Sequence, residues 1–367
     1  MKLKIFINSV CFVFLFFVIL LFLSKVILHG EFEDQEERFK EFYEENTRID
    51  AIFIGASSTH YSWLPVVAWR EFGITSLNFA SPGVPLSAIK YLTKEAIERK
   101  KPKLIVINID SLLMIMNKEH YLNTYAFLAH IKFSLNKILM IDAINKEYQN
   151  ANSYKYVPFE SVALYFPIIR FHEKWKKLIT LPFSDKYVFL KLKGTNRRNS
   201  FFTKRMSIKS AKEEGVEFYD VGLKNYFPDQ HKKLYLDLLG FLTKLDTRVI
   251  LINTPFPEFL YDQDTYKKMN ELYKELFFLA GKHGINYIDL RDDSAIKAMN
   301  LKIEDFYNNR HFNYYGAIKY THYLGSMLKE KFNLQGNKDK LNDETWAEAY
   351  RLYEKYSFNI INAGAKE

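Results

Sequence analysis

Short, β-rich apolar runs alternate with segments of helical periodicity along most of this chain, and that alternation limits the fold more than any other feature. Asp50 to Gly55 opens the series, and Ser76 to Phe79, Lys103 to Asp110, Arg248 to Asn253 and Ile285 to Leu290 continue it. Such runs are what strands buried on both faces look like. Between them, Pro85 to Lys100, Lys232 to Leu245 and Thr265 to His283 place apolar residues at helical spacing. The order predicts an α/β fold: three layers, α/β/α, around a mainly parallel sheet of flavodoxin-like type, with the ligand crevice beyond the carboxyl ends of the strands.

Two regions depart from the pattern. Between Ser111 and Gln230 the alternation fails in an aromatic, basic stretch containing Pro158, Pro167 and Pro182. A segment of that length inside a compact domain usually serves binding, so residues 111–230 are expected to form an insertion with some helices and a role in partner or substrate choice. Near the end, Asn342 to Tyr356 has the pattern of an amphipathic helix bearing Trp346, Tyr350 and Tyr353. The expected divisions are residues 1–28, 29–49, 50–333 and 334–367: an apolar leader, a charged juxtamembrane segment (a helix from Glu31 to Asn46), the α/β domain and a helical tail.

The leader, Ile5 to Ser24, is interrupted only by Asn8 and Ser9 near its start. It has about the 20 residues a membrane-spanning helix requires. A cleaved secretory signal is the alternative, but no site of the Ala-x-Ala kind follows the run, which favours an uncleaved transmembrane anchor. Lys2 and Lys4 precede the span and an acidic run follows it, Glu31 to Glu37. The positive-inside rule then puts the N-terminus in the cytoplasm and the main domain outside.

Composition narrows the chemistry. At 48% hydrophobic and 26% charged residues the chain can build a core, and its one cysteine, Cys11, lies within the leader. Disulfide frameworks, cysteine zinc sites and cysteine nucleophiles are thereby excluded. The net charge of +9 comes from scattered clusters such as Arg99-Lys100-Lys101 and Arg197-Arg198, with no nucleic-acid reading motif. An anionic membrane surface or anionic envelope polymer accounts for the sign, and no nucleic-acid partner is expected. The chain has neither a phosphate-binding Gly-x-x-x-x-Gly-Lys loop nor a Gly-x-Gly-x-x-Gly turn, so its chemistry is expected to need no cofactor or metal.

Candidate chemistry begins at Gly55-Ala56-Ser57-Ser58-Thr59-His60, directly after the first strand. Ser57 is placed to be a nucleophile at the crevice, close to the unpaired N–H groups of a helix start; the alternative is that Ser57 or Ser58 caps that helix. Far along the chain, the segment Asp305 to Gly316 follows the last strand and contains His311. A parallel sheet can bring both to one rim, which is what a serine nucleophile and its base need. Asn313 is most simply the N-cap of the next helix.

These residues resemble the SGNH (GDSL-like) hydrolase superfamily, specifically its membrane-anchored, cell-envelope acyl-transfer branch of DltD-like proteins. The likeness covers residues 50–110 and 235–330. In place of the family's Gly-Asp-Ser block the chain has Gly55-Ala56-Ser57, so the resemblance assigns the nucleophile to Ser57. Asn78-Phe79-Ala80-Ser81-Pro82-Gly83 is similar to the second block and nominates the Gly83 N–H, with that of Ser57, for the oxyanion hole; a plain Pro-Gly turn is the alternative. The third block should supply an asparagine donor, but Ile107-Asn108-Ile109-Asp110 stands there. By strand alternation Asn108 and Asp110 share one face, at the crevice or at a solvated strand end.

In the last block, Asp-x-x-His, the aspartate position is Asn308. An amide can orient the ring of His311 without bringing charge; Asp305 is the substitute if the loop folds back, and a Ser–His dyad is the third arrangement. His60, Asp110 and His172, the last inside the insertion, are candidates for substrate contact. The resemblance implies an extracytoplasmic O-acyltransferase or esterase that modifies a cell-envelope polysaccharide or teichoic acid. It also implies a membrane-bound O-acyltransferase partner to deliver the acyl group. The alternative is an adaptor of the same shape, impaired by Asn308, that binds glycan or the acyltransferase.

Overall fold

A computed structural model describes residues 2–28, 33–113, 118–150, 164–166, 229–308, 310–334 and 343–364. Within them the strands are β1 (Ala51–Gly55), β2 (Ser76–Ala80), β3 (Leu104–Asn108), β4 (Arg248–Ile252) and β5 (Asn286–Ile288). They form one five-stranded sheet in the order β2-β1-β3-β4-β5, parallel throughout. Every residue of β1, β2 and β3 is buried, the physical reason for their unbroken apolar runs. The chain leaves β1 in one direction to form β2, then crosses back over β1 to form β3. Loops after β1 and β3 therefore diverge, and doubly wound sheets bind their ligands at such a point.

Helices cover both faces. On one side α5 (Leu86–Lys100) packs with α7 (Leu135–Asn150) and α8 (Asp229–Leu242). On the other, α4 (Pro65–Phe72) packs with α11 (Tyr314–Lys331) and α12 (Glu344–Gly364). The tail helix is expected from its aromatics: Trp346 is fully buried against Trp69, ring centroids 6.2 Å apart, and the Tyr353 hydroxyl donates to that of Tyr314 at 3.1 Å. Sheet edges are protected at both ends. β5 is three residues long and is covered by α9 (Gln263–Lys282), with α10 (Asp293–Ala298) following it. Edge strand β2 is covered by α2 (Glu33–Glu44), whose Phe42 ring stacks on Phe79 at 3.8 Å. An aromatic pair of that kind adds about 1 kcal/mol beyond its buried area.

Two local departures from the sequence reading have physical causes. The segment after β1 is two helices, α3 (Ser57–Ser62) and α4, because Pro65 can start a helix but holds its predecessor Leu64 extended (φ −109°, ψ 95°). β3 stops at Asn108 rather than Asp110, because the Asn108 side chain accepts the Asp110 N–H at 2.9 Å and bends the chain into a 3₁₀ turn (Ile109–Leu113). Helices α6 (Lys118–His130) and α7 lie where alternation fails, in the stretch for which some helices are expected. In α7, Asn136, Lys137, Asn145 and Glu147 are buried, which blurs the apolar stripe that would have announced it.

Helix α1 (Lys2–Leu28) contains a 22-residue segment, Lys2–Leu23, long and apolar enough to cross a membrane. At 1.5 Å per residue it would span about 33 Å, close to the thickness of a bilayer's hydrocarbon core.

Candidate active site

The first arm of the site is built by the turn from β1 into α3. Gly55 ends the strand with no room for a side chain: a Cβ there would lie 2.1 Å from Thr59 Oγ1 and 3.1 Å from Asn108 Cβ. Ala56 is the extended residue that precedes the helix, and no side chain caps it. Ser57 is therefore the first helical residue and does not serve as N-cap. Its hydroxyl is engaged across the crevice instead: Ser57 Oγ lies 2.9 Å from His311 Nε2. The two groups are 254 positions apart in sequence and meet at the rim that the sheet order defines.

The second arm is the loop from the 3₁₀ turn Ile303–Asp305 to the start of α11, and its backbone is pinned at many points. Phe306 and Phe312 form an isolated antiparallel bridge, and the Tyr307 N–H donates to the His311 carbonyl at 2.9 Å. Asn308 Oδ1 accepts the N–H groups of Arg310 and His311, each at 2.9 Å. Asn313 caps α11 by accepting the Gly316 N–H at 3.1 Å, and it donates to the Glu304 carbonyl at 2.6 Å. Gly316 lets the loop close: a Cβ would sit 2.1 Å from the Asp305 carbonyl oxygen.

The imidazole itself is held more lightly. Tyr61 presents an edge-on ring 5.0 Å from it. Burial, together with the charge of Arg310, lowers the His311 pKa to about 4, so the ring is neutral near pH 7 and able to accept a proton. Among the described residues no carboxylate bonds to this ring. Asn308, assigned from sequence to the ring, spends its carbonyl oxygen on the loop backbone. Asp305, the proposed substitute, takes the Lys302 N–H at 2.7 Å and the Lys319 ammonium at 2.8 Å. Neither orients His311; of the arrangements weighed from sequence, the geometry is that of the dyad.

Gly83 sits in the turn Ser81-Pro82-Gly83-Val84, closed by the Val84 N–H on the Ser81 carbonyl at 3.3 Å. Its φ of +76° is the left-handed value that a Pro-Gly turn of type II requires. The Ser81 N–H reaches the Gly55 carbonyl at 3.4 Å, tying this turn to the end of β1. Gly83 is buried, and no described residue accepts its N–H.

Asp110, Asn108 and His60 are buried. Asp110 accepts the Thr254 N–H at 3.1 Å and the Tyr273 hydroxyl at 2.9 Å, and burial raises its pKa. Asn108 donates to Thr254 Oγ1 at 2.8 Å while its oxygen holds Asp110. Both polar residues at the end of β3 thus knit β3 to β4 beneath the crevice rather than facing solvent. His60 is buried beside Arg38, 3.1 Å from its guanidinium, and burial, then the charges of Arg38 and His311, hold its pKa well below the ordinary histidine value. His172 lies outside the described residues.

Sequence reasoning missed Arg38, Tyr61 and Tyr273. Arg38 stands in a run of glutamates that reads as a solvated helix face, and the aromatics Phe39 and Phe42 are what hint at burial. Among the described residues no group of three or more His, Cys, Asp or Glu side chains could hold a metal ion. Comparison with known protein families and with curated proteins gives no match to this chain.

Proposed function

We propose that this protein is a membrane-anchored, serine-dependent O-acyltransferase or esterase acting outside the cytoplasm on a cell-envelope polysaccharide or teichoic acid. The contact of 2.9 Å between Ser57 Oγ and His311 Nε2, at the switch point of the sheet, carries this reading. His311, neutral at working pH, takes the hydroxyl proton as Ser57 attacks an ester or thioester carbonyl. Helix-start and turn N–H groups, at Ser57 and Gly83, are the donors suited to the oxyanion. The intermediate collapses as His311 returns its proton to the leaving oxygen or sulfur, which leaves an acyl-serine. A sugar, polyol or water hydroxyl, deprotonated by the same ring, then takes the acyl group and regenerates Ser57.

The lysines at positions 2 and 4 orient the anchor with the domain outside, where an acyl group would have to be delivered across the membrane. A membrane-bound O-acyltransferase is the partner that would do so.

One observation favours a second reading, an adaptor that binds without turnover: His311 has no carboxylate partner among the described residues, and its basicity is low. In a serine protease, replacing the triad aspartate by asparagine costs about 10⁴ in turnover. General-base catalysis contributes about 10²–10⁴. A dyad is therefore expected to be slow but measurable. The full-length chain in detergent micelles should hydrolyse p-nitrophenyl acetate above background, and Ser57→Ala and His311→Ala should each return the rate to background. Hydrolysis that both substitutions leave unchanged, or none in the wild type, selects the adaptor.

A further inference from the structure

We propose that Arg38 and His60 are positioning residues of the Ser57–His311 site, so that the helix emerging from the apolar leader is part of the reactive unit. The inference rests on the reading of that pair as nucleophile and base. Arg38, on α2, is 1% exposed. One arm of its guanidinium donates to the Ala80 carbonyl, the last residue of β2, at 2.7 Å, and the other lies 3.1 Å from His60 Nε2. Attaching α2 to the sheet edge needs only the first of these bonds. The second is directed at a side chain one helical turn beyond Ser57.

A guanidinium can only donate, so His60 Nε2 carries the lone pair and the proton of the neutral ring is on Nδ1. That assignment fixes both the tautomer and the charge. His60 packs against Tyr61, ring centroids 4.6 Å apart, and Tyr61 in turn packs edge-on against His311 at 5.0 Å. Arg38 from α2 and His311 from the loop before α11 are the charged or chargeable groups that act on His60. A protonated His60 would oppose the imidazolium that forms on His311 when Ser57 attacks. Burial, and after it the charge of Arg38, keep His60 neutral, while the bond from Arg38 keeps it immobile; His311 is left as the group that takes the proton, and His60 holds the Tyr61 ring on which His311 rests.

The test uses the full-length chain in detergent micelles, with ¹⁵N-labelled histidine and p-nitrophenyl acetate. Imidazole ¹⁵N shifts should show His60 neutral with its proton on Nδ1, and in Arg38→Met the proton should no longer be confined to Nδ1. Arg38→Met and His60→Leu should lower kcat about tenfold with KM unchanged, the mark of an interaction felt at the transition state. His60→Gln, whose amide can still accept from Arg38, should recover most of the loss. If Arg38→Met does not fold, Arg38→Lys replaces it, with a smaller loss of kcat expected. A variant that melts earlier yet keeps wild-type kcat makes Arg38 a purely structural tie and overturns the proposal. A wild-type His60 that is protonated, or carries its proton on Nε2, overturns it too. If the wild type has no esterase activity, the nucleophile reading fails on its own, and the ¹⁵N signature still decides for or against the Arg38–His60 pair.

Discussion

The two arms of the site are built to different standards. On the serine side, the support lies around the end of β1: Gly55 is wedged against Thr59 and Asn108, and Asn108, Thr254, Asp110 and Tyr273 form a buried hydrogen-bonded floor. On the histidine side, the backbone is fixed as firmly, by Asn308, Asn313 and the Phe306–Phe312 bridge, yet the imidazole has no charged partner among the described residues. The turn that carries Ser57 thus rests on a network, whereas His311 is placed by a well-held loop. Position is specified on both arms; basicity is supplied on neither.

That contrast can be broken at several points. The largest effects belong to the reacting groups: Ser57→Ala should abolish turnover, and His311→Ala should lower it by about 10²–10⁴, read as kcat on p-nitrophenyl acetate. Next comes Asn308→Asp, which keeps an acceptor for the loop N–H groups and adds a negative charge at the backbone of His311. Such a charge favours the protonated ring, so the His311 pKa should rise from about 4 by one to two units. The acid limb of the pH–rate profile, expected near pH 4 in the wild type, should move to higher pH by the same amount. Turnover at pH 7 should increase about tenfold or more, as one or two units of added basicity allow. An unmoved acid limb would show that the carboxylate does not act on the ring.

A third test concerns stability. Gly316→Ala would press a methyl group on the Asp305 carbonyl, and overpacking of this kind costs about 1–3 kcal/mol. Calorimetry should show a lower Tm together with a weaker Ser57–His311 reaction. The smallest effect on rate is expected from Asp305→Ala, which removes the acceptor for Lys302 and the partner of Lys319. It should cost about 1–2 kcal/mol of stability while kcat changes less than about threefold. A collapse of kcat with an intact fold would place Asp305 at the ring after all.

The same contrast explains how much could be read from sequence. Strands β1 and β3 were legible because burial on both faces demands an uninterrupted apolar run, and a sheet that is parallel from β1 to β5 brings Ser57, after its first strand, and His311, beyond its last, to one rim. Spacing alone could not show what Asn308 and Asp305 do, since that depends on how one loop folds: both spend their oxygens on N–H groups two or three residues away, or on Lys319. Asp110 looked like a solvated strand end and is buried because β4 and the Tyr273 hydroxyl close over it. Arg38 was hidden for the opposite reason. A lone arginine among charged neighbours signals a solvated surface, and its burial depends on α2 docking over edge strand β2.

The central claim, that Ser57 is a nucleophile activated by His311, is tested most directly by covalent capture. The full-length chain in detergent is treated with a serine-directed fluorophosphonate, and the adduct is located by peptide mass spectrometry. A single adduct on Ser57, lost or slowed at least a hundredfold in His311→Ala, is the predicted result. Labelling of another serine, or of Ser57 at the same rate without the imidazole, would contradict it.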